Sequence, residues 1–151
     1  MKTDIDVRGS KIYEYLHSFM DMSSEELMMI KLAVKEINEI CPNEKFQLAN
    51  KLDRLIKASD DLSWVTMVVE INLSKLKKEI IEVKAPEYTF LVRSNRPSHN
   101  AIENEIFMNH KDLMDKDNNY RVGQNVLEYL RSIEKNIDRY VWSIRDRLRS
   151  E

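Results

Sequence analysis

Glycine, proline and cysteine are all scarce in this chain of 151 residues: two, three and one. With only Gly9 and Gly123 available, no glycine-rich phosphate cradle can form. GxxxxGKS/T, GxGxxG and GxSxG are absent. Cys41 stands alone, so no internal disulfide is possible, which agrees with a reducing, cytoplasmic setting. The opening MKTDIDVRGS has no signal-peptide-like apolar run, and no stretch approaches eighteen uncharged apolar residues. A membrane span is therefore not expected. Net charge is only −2, so phosphate can be attracted only by a local patch. His17, His99 and His110 are far apart and form no metal-ligand motif. A calcium loop starting at Asp115 would need Gly and Glu where Tyr120 and Val126 stand. Glu103 and Glu105, two apart, point to different sides of a helix. The expectation is a protein without enzymatic chemistry, cofactor or metal.

What is abundant is Leu, Ile, Met, Glu and Lys, the composition of helices. The pattern predicts an all-α helical bundle, read as a single domain over 1–151. It comprises an N-terminal hairpin over 10–60 and an assembly region over 61–151. A leader over 1–9 is followed by a helix over 10–22. Ser23 and Glu26 form a capping box for the second helix, which ends before Pro42. Asn43 caps a third helix, and Ser59, Asp60 and Asp61 close it and cap a fourth over 62–84. Pro86 should stop that helix, and 88–92 (YTFLV) is β-prone. A loop over 93–100 leads to a fifth helix carrying Ile102, Ile106, Asn109 and Leu113. DKDNNY (115–120) reads as a turn before the last helix.

That last helix, about thirty residues long, carries the strongest pattern. Val126, Leu130, Ile133, Ile137, Tyr140, Ile144 and Leu148 recur at spacings of four and three, with Val122 extending the stripe backwards. The stripe is longer than a short helical domain can cover. Val126, Leu130, Ile133, Ile137, Tyr140 and Ile144 are therefore expected to line the seam of a homo-oligomer.

Two basic clusters stand out. Lys75, Lys77, Lys78, Lys84, Arg93 and Arg96 are interleaved with Tyr88, Phe90 and His99. Cations that follow phosphates beside rings that stack on bases are what single-strand binding uses. The competing reading is a solvated helix face diluted by Glu79, Glu82 and Glu87. The second cluster, Arg139, Arg145, Arg147 and Arg149, already has a structural reason in the macrodipole of a helix C-terminus. Seven methionines spread from Met20 to Met114, with Trp64 and Trp142, suit either core packing or partner contact.

The order of elements from 62 to 149 resembles the UvsY-type recombination mediators of tailed phages. The resemblance is carried by Val83-Lys84-Ala85, the aromatic pair Tyr88 and Phe90, and the acidic turn Leu113-Met114-Asp115-Lys116-Asp117. The long helix with Val126 to Ile133 and Arg139-Tyr140 completes it. Where the family has a second basic residue after the lysine-alanine step, this chain has Pro86, so only Lys84 carries over directly. The resemblance implies a non-enzymatic ring-forming protein in the host cytoplasm. Such a protein binds single-stranded DNA and helps load a RecA-like recombinase onto strands covered by a single-strand-binding protein. The alternative is a helical adaptor or inhibitor that binds one protein partner and no nucleic acid.

Overall fold

The computed structural model describes residues 4–93 and 98–150, with side chains from Ser10 onward. The fold is all-α. Among the described residues the helices are α1 (Asp4–Ser18), α2 (Ser24–Asn38), α3 (Lys45–Arg93), α4 (His99–Asn109) and α5 (Lys111–Ser150). Among the same residues, no helix is long and apolar enough to cross a membrane.

The cap of α2 is the one expected. Ser23 Oγ accepts from the Glu26 amide at 3.2 Å, and Glu26 Oε1 accepts from the Ser23 amide at 3.2 Å. α1 begins at Asp4, earlier than the loose leader allowed, and stops at Ser18. Asp21 then takes φ 53, a left-handed turn that aspartate tolerates, and the Met22 amide reaches the Leu16 carbonyl at 3.0 Å. This buries Met22 outside the helix.

Four expected breaks are helical instead. Ser59, Asp60 and Asp61 lie inside α3. Leu55, Ala58, Leu62, Val65 and Val69 are all buried at spacings of three and four across them, so the apolar register outweighs the few tenths of a kcal/mol that each polar residue costs. Pro86 also lies inside α3, and 88–92 is helix, not strand. Leu76, Ile80 and Leu91 stay on one buried face through Pro86, while Pro86 itself is exposed, so the carbonyl it leaves unbonded is on the solvent side. Thr89 Oγ1 adds a bond to the Ala85 carbonyl at 3.0 Å. DKDNNY belongs to α5, where Arg121 pairs with Asp117 at 3.2 Å and Gln124 bonds to the Tyr120 hydroxyl at 3.2 Å, each one turn apart. The chain breaks instead at His110, which places Leu113 in the first turn of α5.

The helices pack as two compact units, Met1–Val69 with Val126–Glu151, and Glu70–Asn125. The expected hairpin over 10–60 lies wholly in the first. There Val126, Leu130, Ile133, Ile137 and Ile144 are buried, and Ile137 has no exposed surface at all. Their cover comes from the same chain. Thr66 on α3 donates to Glu134 at 2.7 Å, and Val34 and Ile37 on α2 share a small cavity with Tyr129 and Ile133. Tyr140 is half-buried, its hydroxyl donating to the Glu39 carbonyl at 3.3 Å and its ring 5.5 Å from Lys51 Nζ. Its phenol is pushed up to about 12, first by burial, then by its hydrogen bond with Cys41 and by the charges of Glu36 and Glu39. The expected oligomer seam is thus corrected. These side chains are spent on the chain's own core, because α2 and α3 supply the apolar cover that a partner was expected to bring.

Candidate nucleic-acid interface

The first basic cluster lies in the second unit. Leu76, Ile80, Leu91, Ile102, Ile106 and Leu113 form its buried core, with Val83, Tyr88, Phe107 and Tyr120 packed against it. Fixing the apolar face of α3 fixes where its cations point. At about 100° per residue, Lys75 and Arg93 share one direction five turns apart and Lys78 lies about 60° away. Lys77 and Lys84 lie roughly on the opposite flank. The cluster is contiguous in sequence and dispersed around the helix.

Lys84 is already paired within the unit. Its Nζ donates to Glu103 Oε1 at 2.7 Å and lies 5.1 Å from the Phe107 ring centroid. Tyr88 is half-buried, its hydroxyl 2.9 Å from His99 Nδ1, while His99 Nε2 lies 3.5 Å from Glu103. With the proton on Nε2 facing the carboxylate, Nδ1 accepts from the phenol, which makes a closed chain from Tyr88 to Lys84. These groups line an open groove of about 370 Å³ with Ile81, Ala85 and Thr89. Lys75, Lys77, Lys78 and Arg93 are exposed and make no ion pair among the described residues. Phe90 is 66 % exposed. Arg96 lies outside the described residues. Counted over Glu70–Asn125, nine Lys/Arg meet nine Asp/Glu, so the unit has no net charge to draw a polyanion.

The Lys84–Glu103 pair has a testable consequence. The Glu103 carboxyl is held below the usual carboxylate range, first by the hydrogen bond from Lys84. Burial opposes this, and the charges of Lys84, His99 and Arg121 add to it. A carboxylate depressed in the folded state contributes stability above its unfolded value, and that contribution is lost as pH falls through the folded one. Lys84→Met is expected to raise the Glu103 titration point, read by NMR, and to flatten the acid limb of the urea midpoint plotted against pH. An unchanged Glu103 titration would contradict the assignment.

The second cluster divides. Arg147 turns inward, to Cys41 Sγ at 3.1 Å and Asn43 Oδ1 at 3.5 Å. Arg145 lies over Trp142, 6.0 Å from the ring centroid. Arg139 and Arg149 stay exposed, and so do Arg131 and Lys135, which the sequence reading passed over. Their signal was there: 131, 135, 139, 142 and 149 run opposite the apolar stripe at helical spacing. Among the described residues, no group of three His, Cys, Asp or Glu could hold a metal ion. No protein-family model, no curated protein and no solved structure matches the chain.

Proposed function

We propose that the protein is a non-enzymatic accessory protein of phage-like homologous recombination that binds single-stranded DNA and helps load a RecA-like recombinase. What carries the reading is a set of exposed cations that no carboxylate neutralises among the described residues, on helices that also expose an aromatic ring. On α3 these are Lys75, Lys77, Lys78 and Arg93, with Phe90; on α5 they are Lys135, Arg139 and Arg149, with Trp142. Assembly into a homo-oligomer belongs to the same proposal, through a surface other than the buried stripe of α5.

The test is a titration of a labelled oligothymidylate at several salt concentrations. Four single-strand phosphate contacts give a slope of log affinity against log salt of about −3. No salt-dependent binding at low ionic strength would remove this reading and leave the protein-adaptor one. The adaptor reading has its own observation: Met28 and Leu32, 50 % and 49 % exposed, lie one turn apart on α2 and offer an apolar contact to a partner.

A further inference from the structure

We propose that the outer face of α5 between Arg131 and Arg149 is the surface along which a single DNA strand runs, with Trp142 as its stacking platform. This rests on the single-strand reading above and assigns it to a place that the family resemblance does not indicate. The buried stripe Val126, Leu130, Ile133, Ile137 and Ile144 fixes which side of α5 faces inward. The opposite side carries Arg131, Lys135, Arg139, Arg145 and Arg149, all within about 60° of the direction of Trp142 at 100° per residue. Two carboxylates, Asp138 and Asp146, share the sector. Glu134 does not, because it is turned to Thr66. By formal charge the face is three positive, and Lys135, Arg139 and Arg149 on it make no ion pair among the described residues, whereas the second unit is balanced. Arg131 to Arg149 spans about 27 Å of helix, enough for roughly four nucleotides or more.

Trp142 decides the kind of anion. It is 58 % exposed in the middle of this face. An indole left in water contributes little to folding, and the Arg145 guanidinium lies over it, 6.0 Å from the ring centroid. A flat ring flanked by cations accepts an unstacked base while the neighbouring phosphates meet the arginines and the lysine. Duplex DNA keeps its bases stacked on each other and offers no such partner. An acidic protein surface would meet the cations without needing the ring.

The experiment uses the full chain carrying Trp64→Phe, which makes Trp142 the only tryptophan. It is titrated with a thirty-nucleotide oligothymidylate and with a duplex of the same length. Quenching of Trp142 emission by the single strand and not by the duplex is expected. In the otherwise wild-type chain, Lys135→Ala with Arg139→Ala should reduce the salt slope by about 1.4, two contacts' worth. Trp142→Ala should weaken binding about tenfold with the slope unchanged, because stacking releases no counterions. Lys45→Ala with Lys57→Ala, exposed cations outside both basic sets, should leave the slope as it was. All these positions are exposed, and circular dichroism verifies that each variant remains helical. The assignment is overturned if the wild type binds single strands but the α5 variants do not change affinity or slope. It is equally overturned if duplex binds as tightly with no quenching, which marks a generic polyanion contact. A wild type that binds no single strand removes the functional reading itself, and this assignment with it.

Discussion

Replacing Ile137 with Asp is expected to unfold the first unit, not to split an assembly into folded monomers. Ile137 has no exposed surface and lies on the stripe that α2 and α3 cover. Burying an isoleucine contributes about 1.5–3 kcal/mol, and that gain is lost. The carboxylate must then either stay charged in an apolar site or take up a proton, which adds several kcal/mol. A penalty above about 4–5 kcal/mol is comparable to the whole stability of a domain of this size. Far-ultraviolet circular dichroism should show reduced helicity and a melting transition of smaller amplitude. Ile137→Val, which removes one methyl group, should cost only about 0.5–1.5 kcal/mol and keep the transition. If the Asp variant keeps its helicity and merely sediments as a smaller species, Ile137 lies on an intersubunit seam after all.

The same side chain shows what the sequence could and could not reveal. The period of the α5 stripe was legible because it is local, and so were the Ser23–Glu26 box and the all-α class. What covers the stripe was not legible, because that depends on helices some seventy to a hundred residues away. Thr66 and Glu134, or Glu39 and Tyr140, become neighbours only in the folded chain. The misplaced breaks share one cause. Asp60, Pro86 and Asn118 carry strong local signals, yet the apolar register continues through each, and burial of Leu62 and Leu91 outweighs local preference.

The candidate site shows the same limit in electrostatics. Lys84 was the one basic residue carried over directly from the family pattern, and the fold pairs it with Glu103, nineteen residues away. A count of charges along the sequence cannot foresee such a pairing. Arg147 is likewise drawn inward to Cys41, more than a hundred residues distant. The cations left facing solvent on α5 are those opposite the apolar stripe, and helical period alone could have selected them. Periodicity locates a solvent face reliably; which charges on it remain unneutralised is a tertiary property.

Lys51→Met is expected to be strongly destabilising without unfolding the chain, for the reason opposite to that at Ile137. Lys51 is a charged residue in the core, 1 % exposed. Its ammonium donates to the Glu36 carbonyl at 2.5 Å, to Glu36 Oε2 at 2.6 Å and to Glu39 Oε2 at 3.3 Å, which uses all three of its protons. Glu36 is itself largely covered and also accepts from Arg54 Nε at 3.0 Å. Removing one partner of a buried pair typically costs about 3–5 kcal/mol, because the other charge is left behind without compensation. Arg54 still serves Glu36, so a value near the lower end, about 3 kcal/mol, is expected from urea denaturation. The Glu36 carbonyl also loses a donor, which methionine cannot replace. Adding Glu36→Gln to Lys51→Met removes the stranded charge and should recover part of the loss, while Glu36→Gln alone leaves Lys51 only the longer Glu39 pair at 3.3 Å and should also cost stability. The double-mutant cycle should therefore show coupling of at least about 1 kcal/mol between neighbours of this kind. Additive losses would mean that the ammonium and the carboxylate are each satisfied elsewhere, and that this pair does not hold the α2–α3 connection against the core.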